Sequence, residues 1–199
     1  ATANDRVTTM DYDVRDRVIV TLPLEPPFSV AEYDNLNRVR YQATYSSSTG
    51  LDEDTVASTA TSNRQSLSET LYDTRGRVYQ TRREEIIQSG GSAGAKAGNA
   101  LVTDRWYDSI GQSVKTVGSQ IIKTEYDTLR RPVVTAVLAS DEDDTGTGTA
   151  YEQAVGGVQD DDIVMTQSVV AHEDETGNVL ARMSVERDPE DDTSTDYLF

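Results

Sequence analysis

One stretch of the sequence places oxygen-bearing side chains at intervals suited to a hard cation. Counting from Asp141 as the first position, Asp143 is third, Thr145 fifth, Gly146 sixth and Glu152 twelfth. Calcium takes about six to eight oxygens, and a loop of the EF-hand type supplies them at such places while bending at a glycine. Three features depart from that loop. Gly148 fills the usual apolar eighth place, Thr145 is a weaker ligand than Asp or Asn, and the preceding segment reads as a strand. Calcium held by Asp141, Asp143, Thr145 and Glu152 is one expectation, and a solvated acidic loop is the other. The acidic runs 160–162 and 188–192 carry the same pair of readings.

Little else in the composition supports chemistry. Two carboxylates are enough for a glycosidase, but among thirty-five acidic residues some pair falls together by chance, and nothing marks a pocket. The chain has no cysteine and one histidine, His172. That removes disulfides, thiolate metal sites, cysteine nucleophiles and any site built on two imidazoles. The expectation is a non-enzyme with no catalytic residues and no cofactor other than calcium. Trp106 and ten tyrosines offer rings that can stack on carbohydrate, and no Asn-x-Ser/Thr sequon is present.

Charge narrows the partners further. Eighteen basic against thirty-five acidic residues give a net charge of -17, which repels a phosphate backbone and sets nucleic acid aside. No run approaches the roughly 18 apolar residues of a spanning helix, so membrane insertion is not expected. Residues 1–5 lack the basic and apolar regions of a signal peptide, which suggests a mature or excised product. With 36% hydrophobic types, the 199 residues support a modest core.

The organising feature is a repeated dipeptide, Tyr-Asp, in a fixed context. It occurs at Tyr12-Asp13, Tyr33-Asp34, Tyr72-Asp73, Tyr107-Asp108 and Tyr126-Asp127, with a decayed sixth copy at Glu173-Asp174. Successive copies lie 21, 39, 35, 19 and 47 residues apart, so a unit of about 20 residues carries three insertions. Each copy reads as a hairpin tip, because Asp suits the first place of a type I turn. The fourth place then favours a residue that tolerates positive φ. Asp16, Asn37, Gly76, Gly111 and Gly177 fit that place, and Arg130 does not. Arg17, Arg38, Arg77 and Arg131 follow, replaced by Gln112 and Asn178 in two copies. Tyr and Arg are expected to face each other across each hairpin, ring against guanidinium. All of these are read as structural residues, with a strand beginning at the apolar residue after the Arg.

The motif resembles the YD repeat of the RHS/YD-repeat family, whose consensus is close to Tyr-Asp-x-x-Gly-Arg-Leu or Val. The copy from Tyr72 is nearly perfect, whereas Arg130, Pro132 and Glu173 depart and imply altered turns in the last two copies. The resemblance covers most of the chain. It implies a long spiralling β-sheet of hairpins, found in large secreted or surface proteins such as bacterial RHS toxins and teneurins. The family's self-cleavage motif contains Asp-Pro, but Asp188-Pro189 lacks the Gly-rich continuation and is read as a surface turn.

The elements that position the tips are antiparallel strands. The clearest runs are 17–22, 39–45, 78–82, 101–106, 121–126, 133–139, 163–171 and 179–185, with a tight reversal at Gly118. Segments 46–66, 88–99 and 140–162 are expected to be loops or projecting hairpins. The Pro-rich run 22–28 is expected to cross a sheet edge in extended form. The fold expected is all-β, one YD-repeat domain over 1–199, a segment of a longer array or a protomer of an assembly. A short stack of hairpins leaves two open edges. The leading functional expectation is an extracellular or cell-surface scaffold whose edges pair with copies of itself or with flanking YD repeats, giving a filament or tube. The alternatives are a carbohydrate- or calcium-binding recognition module and a fragment of a toxin-encapsulating shell.

Overall fold

The computed structural model describes residues 7–140, 162–173 and 176–186. They form strands throughout and no helix, as the alternating patterns predict. The strands are β1 (Thr9–Tyr12), β2 (Val18–Leu22), β3 (Phe28–Tyr33), β4 (Val39–Tyr45), β5 (Arg64–Tyr72) and β6 (Val78–Ile86). Then come β7 (Lys96–Tyr107), β8 (Ser113–Val117), β9 (Ile121–Tyr126), β10 (Pro132–Ser140), β11 (Ile163–His172) and β12 (Val179–Glu186). The described strands make one unclosed antiparallel sheet in which spatial order equals chain order, β1 through β12. Two compact units divide it, residues 1–72 with 80–102 and residues 73–79 with 103–199.

In the first unit, period-two alternation puts one small or branched residue from each strand on the same row. Val20 pairs with Val30, Val30 with Ala43 and Ala43 with Leu67, and all four are fully buried. Burying a Leu or Val side chain contributes about 1.5–3 kcal/mol, so this row anchors the unit. Its cover comes from the segment between β4 and β5. Ala57 is fully buried in the core, and Leu51 and Ala60 pack against it. The Tyr45 hydroxyl donates to the Ala60 carbonyl at 3.2 Å, and Ser58 donates to Glu32 from its hydroxyl at 2.7 Å. The Ser/Thr-rich insertion, expected to be a loop or a projecting hairpin, is a loop that folds down over the sheet and brings apolar residues to the core.

Two other expectations change. Segment 88–99 is only partly loop, since β7 begins at Lys96. The Pro-rich run does not cross an edge. It reverses the chain between the neighbouring strands β2 and β3, with a cis bond at Pro26-Pro27. Gly118 does close the β8–β9 hairpin, its N–H donating to the Gln120 carbonyl at 3.0 Å.

In the second unit the buried row is mixed. Trp106 pairs with Lys115, Lys115 with Lys123, Lys123 with Ala136 and Ala136 with Gln167, so all five side chains share a face. Both lysines are 1% exposed. Among the described residues no helix is long and apolar enough to cross a membrane.

Candidate functional site

The residues singled out by the repeat gather at the hairpin tips 13–17, 34–38, 73–77, 108–112, 127–131 and 173–178. In the first five the Asp N–H donates to the carbonyl of the fifth tip residue at 2.9–3.0 Å, and the fourth residue's N–H donates back to the Asp carbonyl. The Asp carboxylate closes the loop from inside. In tip 73–77 one oxygen of Asp73 accepts the N–H groups of Arg75 and Arg77 at 2.9 and 2.8 Å, and the other accepts Arg77 Nε at 2.6 Å. Asp13–Arg17, Asp34–Arg38 and Asp127–Arg131 repeat the arrangement. Asp108 keeps the backbone bonds to Ile110 and Gln112.

The fourth place is left-handed in the first five tips, at Asp16, Asn37, Gly76, Gly111 and Arg130, and Gly177 is left-handed in the sixth. Arg130 is the exception in sequence only. Its φ of 66° is a conformation costing about 1–2 kcal/mol for a residue with a Cβ, and the intact Asp127–Arg131 bridge offsets it. The altered turn expected in tip 127–131 is therefore absent.

The expected face-to-face pairing of Tyr and Arg within a hairpin does not occur. Tyr12, Tyr33 and Tyr107 lie opposite Val18, Val39 and Ser113, one residue beyond the Arg or Gln, because the left-handed residue adds a bulge that shifts the register. Three of the Arg side chains, each bonded to its own Asp, instead lie over the Tyr of the following repeat. Arg17 is 4.6 Å from the Tyr33 ring centre, Arg38 4.3 Å from Tyr72 and Arg77 4.5 Å from Tyr107. Such stacks contribute about 0.5–1 kcal/mol each where exposed.

Four of the Tyr hydroxyls also reach back one repeat. Tyr33, Tyr72, Tyr107 and Tyr126 donate to the carbonyls of Val18, Val39, Val78 and Ser113 at 2.6–2.9 Å. The Arg side chains add a second rung. Arg17, Arg77 and Arg131 donate from Nη1 to the carbonyls of Asp34, Asp108 and Glu173, and Gln112 donates to Arg130. The joints at Tyr33, Tyr72, Tyr107 and Tyr126 thus share the tyrosine-to-carbonyl bond, with an arginine over the ring in the first three and Gln112 in the arginine's place at the fourth.

The sixth tip is read differently by the structure. His172, not Glu173, occupies the Tyr place: it pairs with Val179, and its Nε2 lies 3.2 Å from the Pro132 carbonyl. Glu173 takes the Asp place, its N–H donating to the Asn178 carbonyl at 2.8 Å, in a turn one residue longer. The signal lay in the spacing, since His172 and Val179 are seven apart where Tyr33 and Val39 are six. Asp174 lies outside the described residues, as do Asp141, Asp143, Thr145 and Glu152 of the calcium expectation and Asp188-Pro189. Among the described residues no cluster of three or more His, Cys, Asp or Glu is placed to hold a metal ion.

Electrostatics follow from the tips. The Arg17 guanidinium lowers Asp13 to about 2, against a burial effect in the other direction. The Arg38 N–H and the Arg131 N–H lower Asp34 and Asp127, and in Asp73 burial is outweighed by the Arg77 N–H and guanidinium. A carboxylate lowered in the folded state stabilises above its unfolded pKa, and that contribution is lost as pH falls through the folded value. The unfolding temperature is therefore expected to hold above about pH 5 and drop between about pH 4 and 2. An Asp73→Asn variant starts lower at neutral pH and loses less on acidification. Thermal unfolding across pH checks this, and equal acid losses in both chains would contradict it.

Other chemistry-bearing residues are occupied. Trp106 is 8% exposed with the Lys115 ammonium 5.1 Å from its ring centre, so it is not an open stacking face for sugar. Lys123 Nζ binds both oxygens of Asp162 at 2.9 Å. A recess of about 280 Å³ lies beside Arg75, Arg77 and Tyr107, but Arg75 is bonded to the Ser109 carbonyl and Arg77 to Asp73.

No family model matches the chain, and no curated protein matches it. Solved structures similar to it include "Crystal Structure of TcdB2-TccC3-Cdc42", with a TM-score of 0.40 and 12% identity over 90% of this chain. "Crystal Structure of TcdB2-TccC3-TEV" is similar at 0.37 and 11% over 90%, and "Crystal Structure of TcdB2-TccC3 without hypervariable C-terminal region" at 0.39 and 11% over 89%. In each case the similarity covers 10% of the solved chain.

Proposed function

We propose that the chain is a non-enzymatic β-scaffold of RHS/YD-repeat type, belonging to an extracellular or cell-surface structure. It extends by joining its open sheet edges to further hairpins, in copies of itself or in flanking repeats of a longer chain, to build a filament or tube. The observation behind this reading is where the repeat residues are engaged. Tyr, Asp and Arg side chains that elsewhere serve binding or catalysis here hold one hairpin to the next. A sheet built from one joint, ending in two edge strands, is suited to carry on with the same joint. The net charge of -17 keeps such particles apart sideways while edge bonds hold the long axis.

The test is the mass distribution of the purified chain by light scattering over a concentration series, with electron microscopy of the same samples. Long regular particles that grow with concentration are the expected result. A monomer at every concentration would remove self-assembly.

A further inference from the structure

The two edge strands are not equivalent, and their difference is that between the two sides of an internal joint. On one side of each tyrosine joint is a strand that ends in Tyr; on the other is a strand that begins just after a tip and offers its first carbonyl. Strand β3 ends at Tyr33 and meets the Val18 carbonyl of β2, and β5 ends at Tyr72 and meets the Val39 carbonyl of β4. At one edge, β1 likewise ends in Tyr12, 51% exposed, whose hydroxyl reaches only the Met10 sulfur at 3.7 Å among the described residues. At the other edge, β12 begins at Val179 after a tip, and Val179, Leu180 and Met183 are 59%, 65% and 42% exposed.

Resting on the scaffold reading, we propose that β12 of one copy and β1 of the next form this joint head to tail. Tyr12 donates its hydroxyl to the Val179 carbonyl of the neighbouring copy, and Asn178 of that copy lies beside the ring. The internal joint at Tyr126 is the precedent for a carboxamide there. Gln112 stands where other tips have Arg, and Tyr126 still donates to the Ser113 carbonyl at 2.9 Å. A contact between two different edges is heterologous, and one that does not close yields an open polymer. The occupant is thus a second copy of this chain, set by continuity with the joints already inside the sheet.

Three variants of the whole chain test this by light scattering: Tyr12→Phe, Asn178→Arg, and Asn178→Arg combined with Tyr12→Ala. Tyr12→Phe keeps the ring and is expected to raise the concentration for assembly about five-fold, the worth of one neutral hydrogen bond. Asn178→Arg restores the guanidinium found in other tips and is expected to lower that concentration about three-fold, a gain that Tyr12→Ala abolishes. Because Tyr12 and Asn178 are exposed edge residues, circular dichroism should show each variant folded. Assembly at one unchanged concentration in all chains would overturn this joint while leaving the scaffold reading standing. No assembly in any chain would overturn self-assembly itself.

Discussion

Asp162→Ala is expected to cost about 3–5 kcal/mol of stability, the range for removing one partner of a buried ion pair. Lys123 and Asp162 meet through two bonds of 2.9 Å, with side chains 1% and 0% exposed. The Lys115 side chain sits directly across the strand pair from Lys123 and is as deeply buried. Removing the carboxylate takes both of these bonds from a Lys123 ammonium that is buried away from water. Part of the loss is the cost of keeping that charge buried with these bonds gone, so deleting the charge as well should recover some of it. Denaturant unfolding should accordingly place the Lys123→Met/Asp162→Ala double variant above Asp162→Ala alone. A single variant within about 1 kcal/mol of the parent would show that the pair does not hold this unit.

Gly94→Ala should have a comparable effect in the first unit, of about 3 kcal/mol or more. A Cβ at Gly94 would stand 1.7 Å from the Thr61 carbonyl oxygen, on a residue whose φ is +85°. No rotamer change relieves a backbone clash, so the loop must move. Its movement breaks a chain of contacts into the core. The Gly94 carbonyl accepts Arg64 Nε at 2.9 Å, and Arg64, 3% exposed, donates onward to the Ala57 carbonyl at 3.3 Å. Ala57 is the residue by which the covering loop enters the core. Gly91 lies in the same loop with open space around its missing Cβ, and Gly91→Ala should stay within about 0.5 kcal/mol. Equal unfolding midpoints for the two variants would refute the account.

These sites and the tips depend on two different ranges of interaction. A tip is decided within five residues: Asp73 bonds to Arg75 and Arg77 along the same short loop. The sequence alone therefore determined the all-β class and, in the first five tips, the place of the Asp and the turn position that takes positive φ. It also determined the β8–β9 reversal at Gly118. Even Arg130, which its type argues against, follows the local pattern.

Tertiary structure decided whatever depends on a neighbour far along the chain. Arg38 stacks on Tyr72, thirty-four residues on, and no local rule distinguishes that ring from its own repeat's Tyr33. The one-residue bulge at each tip, worth nothing in pattern, moves Tyr off the Arg and toward the next repeat. Segment 46–66 reads as polar and loop-like, yet Ala57 within it closes the core. Lys115 and Lys123 are charged residues that end up buried, because the cross-strand register sets them beside Trp106 and Ala136. Local chemistry writes the hairpin; the order in which hairpins stack, and hence which face is covered and which edge stays open, exists only once the strands have met.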